Sequence, residues 1–438
     1  MASANRADAP VTAVPGAGRA RSAPLTARVP NDAARTAARA VAAVALVVIG
    51  ARIQLPQGMT AGYVIAVLLL PVWIPVLRRY HGAVLLMVLG GAAAINGSIL
   101  TGLARGTTHT GDGLMLQNTF VLVGTMLAIG VVLWARTVMP LWAVGLFFGI
   151  GLFLGIDPHG LLASGNPWKF VFTLPVTVVA LSLAMTRRSR PLELVILVVL
   201  AGLSMFSDAR SGFAILLLTG VLVLWQARPT AATTRQSTVR VLLGLLVVSA
   251  IAYNVGQSLI VDGALGQATQ ERTITQIDTS GNLILGGRPE LAAAGALMEH
   301  YPFGFGSGTY ADSAQVLVAK QGMYAINYAP NNGYVDNFMF GTGFELHSMI
   351  GDLWANYGLA GLALGGALLW YVLRGLGHSV ARRTASALVI YLAVRIVWSL
   401  FFGPWWSSVT MLTLLVGMIL IPREPETSPA ASRAEAPG

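Results

Sequence analysis

Apolar residues run along this chain in blocks separated by short polar turns, at roughly 37–54, 60–77, 82–100, 114–134, 138–155, 169–186, 191–207, 211–227, 240–260, 350–373, 384–402 and 405–421. Blocks of about 17–22 residues, coiled as helices, match the roughly 30 Å of hydrocarbon in a bilayer. The pattern predicts an all-α, polytopic helical membrane protein with about twelve transmembrane helices. It lapses once, between 260 and 345, where the chain turns polar and rich in glycine. A short helix is expected there from Pro289 to about His300, because proline suits the first helical position and Glu290 complements the positive helix end.

These features divide the chain into a disordered cytoplasmic tail (1–36), transmembrane helices 1–9 (37–260), a large extracytoplasmic loop containing short helices (261–345), transmembrane helices 10–12 (346–421) and a second disordered cytoplasmic tail (422–438). The arginines before Val41 also fit the n-region of a signal peptide, with Val41–Gly50 as its apolar stretch. A membrane anchor is expected instead, since that n-region is long and no clean small-x-small cleavage site follows.

Charge fixes the orientation. With the N-terminus inside, the cytoplasmic side receives the N-terminal arginines, Arg78, Arg79, Arg136, Arg187, Arg188, Arg190, Arg228, Arg235, Arg240, Arg374, Arg382, Arg383 and the tail arginines, 20 of the 28 basic residues. The exceptions are Arg52, Arg105, Lys169, Arg210, Arg272, Arg288, Lys320 and Arg395. Only 11% of the 438 residues are charged and 55% are hydrophobic, against about 25% charged in a typical soluble domain. The net charge of +10 is dispersed among the turns and forms no patch for nucleic acid. With no cysteine, disulfides and thiolate metal sites are excluded.

Cations off the cytoplasmic side are costly and are therefore candidates for chemistry. Arg210, at the outer junction of two spans, either snorkels to the headgroups, pairs with Asp208, or binds an anion. Arg288 precedes the loop helix, where a guanidinium beside free backbone N–H groups makes an anion site; a solvated loop arginine is the plain alternative. Arg395 sits within a span and must face protein, water or a lipid phosphate, unless it pairs with Asp352. His347 stands where the loop re-enters the membrane, and histidine is the side chain suited to general-base work near neutral pH, though an interfacial histidine also serves structure. The glycine-rich turn Pro302–Gly308 lacks the lysine and the strand–helix setting of a P-loop. Trp405 and Trp406 fit an interfacial aromatic belt. No histidine spacing suggests zinc, so no metal or cofactor is expected.

Three stretches in order carry a resemblance: DARSGFAILLLTGVLVLW from Asp208, GRPELAAAGALMEHYPFGFGSGTY from Gly287, and HSMIGDLWANYGLAGLAL from His347. Together they resemble the O-antigen ligase and O-antigen polymerase superfamily. Ser348 stands where that family usually has asparagine, and Ala209 precedes Arg210 where serine is common. The resemblance implies an inverting, metal-independent glycosyltransferase at the outer face of the bacterial cytoplasmic membrane. It would move a glycan from undecaprenyl pyrophosphate to a hydroxyl of a glycan or glycolipid acceptor, for cell-surface polysaccharide biosynthesis. Arg210 and Arg288, with Arg395 as a further candidate, would hold the pyrophosphate, and His347 would deprotonate the acceptor. Ligase and polymerase share the donor, and the residues do not separate them. The rival class is a polytopic transporter or flippase of lipid-linked or small substrates. Against a major-facilitator protein stands the short connection Arg78–Gly82, where that class carries a basic motif.

Overall fold

The computed structural model describes residues 32–227, 237–263, 266–281 and 286–424. Most of both expected tails, and Arg228 and Arg235, lie outside them. Helix already begins at Asp32, within the stretch expected as the first tail.

Each apolar block folds as helix. In chain order these are α1 (Asp32–Ala51), α2 (Ala61–Leu68), α3 (Leu70–Leu77), α4 (Ala83–Ala104), α5 (Asp112–Val138) and α6 (Leu141–Leu154). A short α7 (Pro158–Ala163) and a π-turn (Trp168–Phe172) lead into α8 (Thr173–Arg187), followed by α9 (Arg190–Phe206), α10 (Arg210–Ala227) and α11 (Thr238–Val261). The polar stretch supplies α12 (Gln267–Ser280), α13 (Glu290–His300) and α14 (Ser313–Tyr324). The chain ends in α15 (Met349–Ala381), α16 (Ala387–Phe402) and α17 (Trp405–Ile419). Among the described residues there is no strand, only isolated bridges such as Thr110 to Thr309. Among the described residues six helices are long and apolar enough to cross a membrane: α1, α4, α5, the π-turn with α8, α10 and α15. Apolar side chains also face outward, with Leu68, Leu103, Val198 and Phe206 all exposed, as expected of helices with lipid as solvent.

Local chemistry sets the ends. Hydroxyls of Thr60, Ser189, Ser348 and Ser386 accept from backbone N–H groups in the first turns of α2, α9, α15 and α16. Asp312 and Gln315 form a reciprocal capping box on α14. The block at 60–77 divides at Leu69, because Pro71 has no N–H to give the Val67 carbonyl.

In lipid, helices associate through close packing rather than hydrophobic burial. Small residues make that possible between α1 and α6: a Cβ on Gly50 would collide with the Phe148 carbonyl, and one on Gly155 with the Ala51 carbonyl. The other turning point is Gly358, whose φ of 60° and ψ of −147° break the long α15. The freed carbonyls find partners elsewhere: Asn96 donates to Tyr357 O at 2.8 Å, and Phe305 N donates to Ala355 O at 2.8 Å. The turn at 302–308 is thus a clasp. Its remaining N–H groups also reach α4, from Ser307 to the Gly97 carbonyl at 3.2 Å and from Gly308 to the Thr101 hydroxyl at 2.9 Å. Those backbone donors are spent on the fold and do not cradle a phosphate.

A second apolar core, apart from that of the bundle, joins α13, α14 and residues 335–346, with Leu297, Met323, Val335 and Met339 buried and Phe305 stacked on Phe344 at 4.1 Å. This core docks on Trp354 of α15 and so fixes His347 relative to the bundle.

Candidate functional site

One end of the bundle gathers the arginine-rich turns. Arg39 donates to Val138 O at 2.9 Å, Arg136 to Gly417 O at 2.8 Å, Arg190 to Arg383 O at 3.3 Å, and Arg423 N to Arg79 O at 2.8 Å. At the opposite ends of α1 and α17 lies a cavity of about 720 Å³. Among the described residues four basic side chains line it, Arg52, Lys169, Arg288 and Arg395, and one carboxylate, Asp157. Asp157 is already engaged, accepting from the N–H groups of His159 and Gly160 at 3.0 Å each. The rest of the wall is largely apolar, including Leu152, Ile156, Phe170 and Phe402.

These cations rest mainly on neutral partners. The Arg52 guanidinium lies 5.0 Å from the Trp406 ring, Arg288 lies 6.0 Å from Trp398, and Lys169 lies 5.2 Å from Phe170. Arg395 donates to the Tyr391 hydroxyl at 3.2 Å. Among the described residues only Arg288 of the four has a carboxylate within ion-pair range, Glu290 at 3.8 Å. The cavity therefore carries a net positive charge against an apolar wall, which suits an anionic group attached to a lipid chain.

His347 does not line this cavity, but a short relay connects them. Its ring centroid lies 5.9 Å from that of Tyr334, whose hydroxyl donates to Glu290 at 2.7 Å, the same carboxylate that faces Arg288. Burial and the neighbouring Glu290 carboxylate push the Tyr334 phenol well above its usual range, so it remains a donor. The other Glu290 oxygen is buried without a partner. Tyr334→Phe is therefore expected to lower the melting temperature, since depriving a buried carboxylate of a donor costs about 1–3 kcal/mol. An unchanged melt in detergent would remove Tyr334 from this relay.

The His347 ring is oriented through its Nδ1. Its Nδ1 lies 3.1 Å from the Glu345 carbonyl, which only accepts, so Nδ1 carries the proton and Nε2 the lone pair. Its φ of 52° lies in the left-handed region, an uncommon conformation for a residue with a Cβ. Asp352 holds this conformation from below. One Asp352 oxygen accepts from Leu346 N at 2.6 Å and the other from Trp405 N at 2.7 Å, while Ser348 donates to Leu400 O at 3.0 Å. Asp352 is thus committed to two backbone N–H groups and not to Arg395, the pairing raised from sequence. Asp352→Ala leaves both donors buried and unmet at about 1–3 kcal/mol each, so a marked fall in thermal stability is expected. A variant melting like the wild type would show that Asp352 does not anchor these segments.

Of the sequence candidates, the structure brings Arg288 and Arg395 to one cavity. Arg210 is set beside it: its neighbour Ser211 lines the wall, while Arg210 donates to Thr273 at 3.3 Å and lies 3.9 Å from Asp208. Arg52 and Lys169 were not singled out from sequence, although both belong to the few basic residues off the cytoplasmic side, and that exception was the available signal. Trp406 does more than an interfacial belt requires, since it supports Arg52. Compared with known proteins, the chain matches no protein-family model, no curated protein and no solved structure.

Proposed function

We propose that this chain is an O-antigen ligase/polymerase-like glycosyltransferase, moving a glycan from undecaprenyl pyrophosphate to an acceptor hydroxyl at the outer face of the bacterial cytoplasmic membrane. The observation that carries this reading is the cavity in which four basic side chains meet an apolar wall at the end of the bundle away from the arginine-rich turns. The frame in this reading is twelve spans with both termini in the cytoplasm, and α13, α14 and the His347 segment lie outside. The shorter apolar helices α6, α16 and α17 cross with the six longer ones. The α2–α3 pair, α9 and α11 complete the set.

In the reaction, the pyrophosphate sits among Arg52, Lys169, Arg288 and Arg395 with its isoprenoid along the apolar wall. Arg210 screens the approach beside Ser211. His347 Nε2 takes the acceptor proton, and the acceptor oxygen attacks the anomeric carbon from the face opposite the leaving group. The bond from that carbon to the pyrophosphate oxygen breaks with its electron pair going to the pyrophosphate, inverting the centre. Fixed guanidinium groups in a partly dehydrated site stabilise the charge that develops there.

Deleting the gene tests the reading through the lipid carrier. Accumulated carrier-linked polymer exposed outside the membrane identifies a ligase, and accumulated single repeat units a polymerase. A carrier pool confined to the cytoplasmic leaflet identifies a flippase instead, and an unaltered pool defeats all three. Because the cations already supply the neutralising charge, transfer by purified protein is expected to persist in EDTA; a strict divalent requirement contradicts the arginine-based account.

A further inference from the structure

A second cavity, of about 530 Å³, adjoins the first, and Pro404 lines both. Its chemistry is different. Among the described residues no basic side chain lines it; its wall includes Gln117, Asn118, Glu345, Asp352, Trp405 and Trp406. Amides and carboxylates beside aromatic faces are the groups that hydrogen-bond ring hydroxyls and stack against C–H faces, and a carboxylate wall disfavours phosphate.

Several of these groups have hydrogen-bonding capacity left. The Gln117 amide makes no hydrogen bond among the described residues. Asn118 spends its side-chain N–H₂ on Ser307 O at 2.7 Å and Asn356 Oδ1 at 3.1 Å, which leaves its side-chain Oδ1 open. Glu345 engages one oxygen, with the Thr342 hydroxyl at 3.2 Å. The Trp405 indole N–H is buried without a partner. Unmet polar groups in a cavity wall mark places where a ligand supplies the missing partners. Gly58 seats two of the lining side chains: with φ of 73°, it leaves room where a Cβ would meet Gln117 Cγ at 2.9 Å and Trp406 at 3.2 Å.

Trp406 supports Arg52 of the cationic cavity and also lines this one, so the Pro404–Trp406 segment is a partition between them. Glu345, from the second cavity, lies two residues before His347. We propose that the second cavity binds a neutral sugar ring of the acceptor glycan, a hexose or N-acetylhexosamine, beside the segment that carries His347. This inference rests on the glycosyltransferase reading for the role of the bound sugar; the binding site itself stands on the cavity's chemistry.

The test uses full-length protein in lipid nanodiscs with methyl glucoside, methyl galactoside, methyl mannoside and N-acetylglucosamine as probes, read by saturation-transfer NMR. At least one probe is expected to bind the wild type. Its affinity should fall about tenfold in Gln117→Leu and in Glu345→Ala, the loss that one or two hydrogen bonds imply. Undecaprenyl pyrophosphate binding, followed by thermal shift on the same samples, should survive in Gln117→Leu and weaken in Arg395→Ala, which also reports that the variants are folded. No probe binding by the wild type, or equal binding by the wild type and both cavity variants, overturns the proposal. Sugar binding without pyrophosphate binding leaves this site standing and removes the donor reading.

Discussion

His347→Asn is expected to retain the fold and to lose transfer by about two to four orders of magnitude, the range for removing a general base. Asparagine is the informative replacement. Position 347 has a positive φ, which asparagine tolerates better than most residues, so the substitution changes the chemistry more than the backbone. It also removes Nε2, and the shorter amide offers no basic lone pair in its place. His347→Gly should relieve the backbone further and be equally inactive. Initial rates with purified donor and acceptor, beside a detergent melting curve, separate the two effects. Full activity in the asparagine variant would remove His347 from the mechanism and leave its strained backbone without a chemical reason.

Arg288→Ala is expected to lose transfer by about two to three orders of magnitude, comparable to deleting one donor from an oxyanion site. Arg288 lines the cationic cavity, lies over Trp398 and faces the buried Glu290. Arg288→Lys keeps the charge but not the planar fork that stacks and donates in pairs, so an intermediate loss is expected. Because alanine also strips Glu290 of its counter-charge, some stability falls with it. Binding of the pyrophosphate lipid at matched folded fraction isolates the direct effect. If the alanine variant bound and turned over donor like the wild type, the four-cation account would fail at its centre.

Much of the frame was readable from the chain because bilayer physics acts on local sequence. Every apolar block became helix, and α13 started beside Pro289 as its proline and acid indicated. Breaks were less readable. A glycine inside an apolar block carries no local mark of a break, and Gly358 makes one only because the turn at 302–308 and Asn96 take up the carbonyls it frees. The site was readable only in part. Arg288 and Arg395 announced themselves as misplaced charges, but nothing local shows that Arg52 at the end of α1, Lys169 and Arg395 share one wall. That proximity arises from tertiary packing between segments hundreds of residues apart. Asp352 was misjudged for the same reason: its partners are backbone groups, and backbone groups leave no mark in a sequence.

Asp352 joins two parts of the molecule that meet different molecules in the proposed reaction. One oxygen tethers the segment carrying the base, and the other tethers the partition between the cavities. A ligand that shifts the partition must pull on the same carboxylate that positions His347. The binding energies of the two substrates are therefore expected to be non-additive and reciprocal, each changing the other's affinity by the same factor.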